Sequence, residues 1–166
     1  TGLTAEKSSE CVFGEKSTKA WAFKAAAGAA SKAIAQIHLT QTTDFSSHYL
    51  MMDVKYVTSG AEETGSFSAR LHGTNWGNLN NEQTVTVKAG QWQTVVLVPS
   101  ESGMMEGKDV SELASCGLIT LSLNFAAASE AERAFYIDNV RAVKIETAQE
   151  DWIKIPVDIG MSSPAE

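Results

Sequence analysis

The chain has 166 residues, 43% of them hydrophobic and 20% charged, with a formal charge of −7 and no apolar run near the roughly 18 residues that cross a bilayer. That length fits one domain with a substantial core, and the composition excludes a disordered chain. Lys and Arg are scattered without a basic block, so the footprint of a nucleic-acid binder is missing; the expectation is a soluble monomer with neither nucleic acid nor a membrane as partner.

Taken in chain order, "FKAAAGAASKAIAQIHL" (23–39) is rich in Ala, the best helix former, yet Gly28 and Ser31-Lys32 in a β context suit a hairpin between strands at about 19–26 and 33–40. "YLMMDVKYV" (49–57) puts Leu50, Met52, Val54 and Tyr56 on one parity, and "SFSARLH" (66–72) sets Phe67, Ala69 and Leu71 against Ser66, Ser68, Arg70 and His72. Each reads as a half-buried strand. "TVTVKAGQWQTVVLVP" (84–99) gives a strand, an Ala-Gly turn and a second strand; Val95, Val96, Leu97 and Val98 are apolar on both parities and predict cover on both sides. In "DVSELASCG" (109–117), Asp109 and Glu112 have capping-box spacing before Gly117, which predicts a short helical turn. "LITLSLNF" (118–125) alternates Ile119, Leu121, Leu123 and Phe125 against Thr120, Ser122 and Asn124.

"FYIDNVRAV" (135–143) is the last main strand. Phe135 and Ile137 keep one parity, then Val140 and Ala142 fall on the other, with Asp138 and Asn139 at the switch. One inserted residue does this: a bulge, which twists the ladder and leaves a carbonyl unpaired. Seven or more short strands imply an antiparallel sandwich over 1–148, with 149–166 as a C-terminal extension or linker. Cys11 and Cys116 belong to no CxxC pair and cannot make a zinc site alone, so a disulfide and two buried thiols both remain open.

Four stretches, "GEKSTKAWAFKA" (14–25), "DFSSHYLMMDVK" (44–55), "VTVKAGQWQTVVLVP" (85–99) and "FYIDNVRAV", resemble the jelly-roll carbohydrate-binding modules attached to bacterial polysaccharide-degrading enzymes, the cellulose- and β-glucan-binding kinds in particular. The likeness spans most of residues 10–144. It implies an all-β jelly-roll sandwich of two sheets, a secreted protein, and a polysaccharide ligand such as cellulose, mixed-linkage glucan or xyloglucan. It also implies a tethered glycoside hydrolase that the module brings to its substrate. The N-terminus lacks a signal-peptide pattern, read as a segment removed or lying outside this sequence. In such modules the Asp of the last motif commonly helps bind a structural Ca2+; here Asp138 would do so, with Glu15 or Glu10 as the second acid. The alternative is that Asp138 only accepts hydrogen bonds from backbone amides at the bulge.

Sugars present C–H faces that lie on aromatic rings and hydroxyls that bond to amides, carboxylates and guanidinium groups. Trp76, in the polar loop of "RLHGTNWGNLNN" (70–81), is the first candidate, with Arg70 and His72 beside it on the polar parity. Tyr49 and Asp53 share the outward parity of their strand, and Asn124 that of its own; with strand neighbours as the resemblance implies, all line one face. Trp21 and Trp92 read as structural and Trp152 stays unassigned. Catalysis is the rival class, because jelly-roll hydrolases and lyases exist, but no outward pair of Glu falls on one strand: Glu62, Glu63, Glu101, Glu106, Glu130 and Glu132 sit in turns. The reading is a binder without turnover, with a sugar-free adhesion or spacer sandwich as a third class.

Overall fold

In the computed structural model, which describes residues 2–13, 19–73, 77–100, 104–125, 129–145, 153–154 and 157–162, two antiparallel sheets enclose one main core. The strands are β1 (Leu3–Ser8), β2 (Ala20–Ala25), β3 (Ser31–Thr43), β4 (His48–Thr58), β5 (Thr64–Gly73), β6 (Gln83–Lys88), β7 (Trp92–Leu97), β8 (Cys116–Phe125), β9 (Arg133–Lys144), β10 (Ile153–Lys154) and β11 (Val157–Ser162). Sheet A runs β1-β2-β9-β4-β7, with β10 also pairing β9; sheet B runs β11-β3-β8-β5-β6. Strands β2 to β9 split into β2-β9-β4-β7 and β3-β8-β5-β6, the two halves of a jelly roll. The expected all-β sandwich is the fold, and the expected helical turn is a 3-10 helix, Val110–Ser115, whose N-cap Asp109 accepts from the Ser111 amide at 2.9 Å.

Strand alternation builds the core as read. Leu50, Met52 and Val54 of β4, Phe67, Ala69 and Leu71 of β5, and Ile119, Leu121 and Leu123 of β8 are buried between the sheets. Phe135 of β9 stands among Tyr56, Phe67 and Phe125, with ring centroids 4.9, 5.9 and 5.6 Å away. Such tilted and edge contacts suit the ring quadrupoles.

Two expectations are corrected. Strands β2 and β3 are not a hairpin, because β2 lies in sheet A and β3 in sheet B. The connection turns through Gly28, at φ 80, and crosses from one layer to the other. Val96 is not covered on both sides: β7 is the edge of sheet A, so Val95 and Leu97 face the core while Val96 is 49% exposed. Within the C-terminal stretch read as an extension or linker, β10 pairs with β9 and β11 pairs with β3 at the edge of sheet B. Of the two states left open for the cysteines, the structure has free thiols at both. Cys116 is buried between the sheets, where burial pushes its thiol up to about 11, whereas Cys11 packs with Ala20, Ala22 and Tyr136 beyond sheet A.

The bulge in β9 is present and supplies its own solution to the carbonyl problem. Met51 pairs with Arg141 and Asp53 with Asp138, so one residue of β4 faces two of β9. Asn139 takes φ 54, a left-handed conformation that Asn tolerates better than most residues. Its carbonyl accepts from Arg141 Nη1 at 2.8 Å. Arg141 Nη1 also reaches Asp53 Oδ2 at 3.3 Å, and the Asp53 carboxylate accepts from Thr94 Oγ1 at 2.8 Å and Asn139 Nδ2 at 3.1 Å. Asp53 and Arg141 are 1% and 3% exposed, so each charge depends on the other.

Two outcomes follow from these contacts. Asp53→Leu or Arg141→Met alone lowers stability by about 3–5 kcal/mol in urea titration, because each leaves a buried charge without its partner, while the double variant regains most of the loss. Single variants within about 1 kcal/mol of the parent would show that the pair does not hold the bulge. With a thiol reagent at mildly alkaline pH, the folded chain exposes one thiol, that of Cys11, and the second reacts only in denaturant; two immediately reactive thiols would contradict the placement of Cys116.

Candidate functional site

The outward parity of sheet B assembles a polar face four strands wide. Registers across β3, β8 and β5 align Lys32 with Asn124, Ile34 with Ser122 and Ser68, Gln36 with Thr120 and Arg70, and His38 with Leu118 and His72. Thr84 and Thr86 of β6 extend the face beside Ser68 and Ser66. Successive rows lie two residues apart, roughly 7 Å, so the four rows span about 20 Å along the strands. The polar character follows from alternation: the other parity of each strand is spent on the core.

Side-chain bonds hold parts of this face in place. Thr120 Oγ1 and His72 Nε2 share a hydrogen bond of 2.8 Å, and His72 is 8% exposed. Asn124 is exposed and donates from Nδ2 to Ser66 Oγ at 3.1 Å. Ser68 Oγ donates to the carboxylate of Glu82. Arg70, half-buried in the middle of the face, has its Nε shut off from solvent without a partner.

Trp76 lies outside the described residues. Its loop leaves from the His72 end of the face, where the Gly73 amide donates to the Gly77 carbonyl at 2.9 Å and His72 bridges Asn78. The return limb is anchored by Asn80, which is 1% exposed and accepts from the Leu71 amide through Oδ1 at 2.5 Å. The Leu79 amide adds a bond to the Leu71 carbonyl at 2.9 Å. Nothing in the sequence marks Asn80, since a buried Asn that anchors a loop looks like any other loop Asn.

Tyr49 and Asp53 do not join this face. Both point outward as read, but from β4, which belongs to sheet A; Tyr49 pairs with Val143 and Asp53 with Asp138. Asp53 is moreover consumed by Arg141, Thr94 and Asn139. The structure therefore brings together Arg70, His72 and Asn124 and separates Tyr49 and Asp53 from them.

The outer side of sheet A has a different character. Ala20, Ala22, Ala134 and Tyr136 form a second apolar cluster with Cys11, Val57 and Trp92, and Phe13 meets Trp92 edge-on at 5.5 Å. Trp92 is structural, but it serves this outer cluster and not the main core. Farther along lies a cavity of about 670 Å³, bordered by Glu10, Lys24, Tyr136, Thr58, Glu132 and Arg133 among others. Lys24 Nζ contacts Glu10 at 2.9 Å and Glu6 at 3.2 Å. The Glu10 bond holds the Lys24 ammonium above its usual range, and the same bond lowers the Glu10 carboxyl. Burial pushes the Tyr136 phenol up, and the nearby Glu10 charge adds to it.

For calcium, Asp138 is half-buried with Oδ1 accepting from the Asn139 amide at 2.7 Å. Glu15 lies outside the described residues, and Glu10 is engaged by Lys24. Among the described residues no group of three or more His, Cys, Asp or Glu side chains is arranged to hold a metal ion.

No family model and no curated protein matches the sequence. Solved structures match the fold. An exo-beta-agarase aligns with a TM-score of 0.64 at 16% identity, over 91% of this chain and 23% of that one. The family 30 carbohydrate-binding module of the cellulosomal cellulase CEL9D-CEL44B of Clostridium thermocellum aligns at 0.58 and 16%, over 88% of each chain. The family 11 module from Clostridium thermocellum, solved with a beta-1,3-1,4-mixed-linked tetrasaccharide, aligns at 0.53 and 15%, over 86% of this chain and 82% of that one. The fold is that of the β-sandwich carbohydrate-binding modules, and this chain spans about a quarter of the agarase.

Proposed function

We propose that this domain is a non-catalytic carbohydrate-binding module whose glycan lies on the outer face of sheet B, beside the loop that carries Trp76. The observation that carries the reading is the outer-face array of Arg70, His72, Asn124 and aligned hydroxyls, set on a fold shared with modules of that kind. Its ligand is a β-glucan chain, cellulose, mixed-linkage glucan or xyloglucan, and its role is to hold an attached glycoside hydrolase near substrate in a secreted bacterial enzyme. The gain is in effective concentration, not chemistry. The agarase alignment, in which this chain matches 23% of a longer enzyme, favours a second reading: an accessory domain beside a catalytic domain, with an agar-type galactan as ligand.

A structural Ca2+ at Asp138, with Glu15 as the second acid, belongs to the same proposal. The bulge supports it by setting Asp138 one residue past the Trp21–Ile137 pair at the start of β2, and calcium tolerates irregular oxygen geometry.

Affinity electrophoresis across mixed-linkage glucan, xyloglucan, hydroxyethylcellulose and agarose tests the binding reading. Retardation on at least one is expected, with Trp76→Ala weakening it about tenfold or more, as for an aromatic anchor. Retention untouched by Trp76→Ala on every retarding glycan places the site elsewhere, and release of reducing ends by the isolated domain favours an enzyme. For calcium, EDTA lowers the thermal midpoint by roughly 5–15 °C if the ion is bound well above its dissociation constant. An unchanged midpoint removes calcium.

A further inference from the structure

The charges on the outer face of sheet B are unequally matched. A neutral pyranose presents hydroxyls that both donate and accept, and amides, imidazole and hydroxyls suffice for it. Here the central row, Gln36, Thr120 and Arg70, also carries a guanidinium with no carboxylate beside it in the row. Asp53, the carboxylate the sequence offered for this face, sits in the other sheet with its charge already spent on Arg141. The remaining acids lie at the margins: Glu82, just before β6, takes the Ser68 hydroxyl, and Asp158 of β11 stands in register with His38. The bases nearest the centre are Arg70 and, two rows away, Lys32, with Lys88 at the end of β6.

Arg70 is the decisive residue. Among the described residues no hydrogen bond or ion pair holds its guanidinium, and its Nε is screened from water without a partner. Its row neighbour Thr120 is bonded to His72. The outer edge of the guanidinium is thus left as a planar fork of N–H donors facing outward, the geometry that takes two acceptor oxygens of one anion. A second guanidinium on the outer side of a sheet, Arg141, is more deeply buried and already has such an anion in Asp53.

We infer that the glycan bound on this face carries an acidic substituent, a carboxylate or a sulfate ester, which pairs with Arg70. The inference rests on the reading that this face is the glycan site, and it holds for any backbone sugar. The overall charge of −7 repels polyanions, so a preference for acidic glycans has to come from the local site and not from bulk attraction.

Two matched pairs read it out: carboxymethylcellulose against hydroxyethylcellulose, and carrageenan against agarose, the first isolating carboxylate and the second sulfate. In affinity electrophoresis at low salt, the acidic member of at least one pair is retained about tenfold more tightly than its neutral partner, and the advantage shrinks as salt rises to about 0.2 M. Arg70→Met brings the ratio of acidic to neutral retention to about one, and Arg70→Lys, a point charge without the fork, keeps part of it. Equal or weaker retention of the acidic member in both pairs, or an advantage that survives Arg70→Met, overturns the inference. Ser122→Trp, which fills the middle of the face, separates the two levels. If it abolishes retention while Arg70→Met leaves the ratio intact, only the acidic preference fails; if it leaves retention unchanged, the face is not the site.

Discussion

The ion pair between Asp53 and Arg141 is the constraint around which sheet A is organised. Its two residues are 88 positions apart and nearly sealed from solvent, and they meet where β9 carries one residue more than β4. The extra residue turns Val140 and Ala142, on the opposite parity, to the same face as Phe135 and Ile137, so the second half of β9 keeps its apolar side inward. Without compensation the bulge would leave the Asn139 carbonyl bare. Arg141 bonds that carbonyl and is in turn neutralised by Asp53, so one guanidinium satisfies the backbone defect and the buried carboxylate together.

This arrangement also gives the two sheets different outer surfaces. Sheet A turns an apolar cluster and a closed ionic network outward, with its acids and bases paired in Asp53–Arg141 and Glu6–Lys24–Glu10. Sheet B turns out hydroxyls, amides and one unclaimed guanidinium. Internally satisfied groups stabilise and specify a fold, whereas on sheet B the Asn124 side chain is exposed and the outer edge of the Arg70 guanidinium is open to solvent. The contrast supports the proposed placement of the glycan on sheet B, although a cavity of about 670 Å³ borders sheet A. A cavity edged by a matched salt bridge is partly occupied by its own chemistry.

How much of this was legible in the sequence depends on whether a feature is local. The inward parities of β4, β5 and β8 read correctly because one side of each strand meets the core and the other meets water. The switch in "FYIDNVRAV" betrayed the bulge for the same reason. What alternation cannot say is which sheet a strand joins: five residues between β2 and β3 serve a hairpin or a layer crossing equally well, and Tyr49 and Asp53 share a face with Asn124 only on the strand neighbours that the resemblance implies. β1, "LTAEKS", went unseen because an edge strand with mostly exposed side chains shows no apolar rhythm. Val96 misled in the opposite direction, as a β-branched residue at an edge position where strand propensity, not burial, accounts for it. The partner of Asp53 was out of reach altogether, since nothing near position 53 announces an arginine at 141.

The strand order has a kinetic meaning as well. β9 is the inner strand between β2 and β4, and its pairing with β2 joins Trp21 to Ile137 across nearly the whole chain. Sheet A therefore has no continuous hydrogen-bonded ladder until residue 133 and beyond has been synthesised, and β1 with β2 waits as a two-stranded ribbon, marginal on its own. Topologies of this sort fold over milliseconds to seconds, because loop closure must come before the contacts that reward it. On the ribosome, the first half of this domain emerges with its apolar strands unpartnered, and the order of events is set by when β9 arrives.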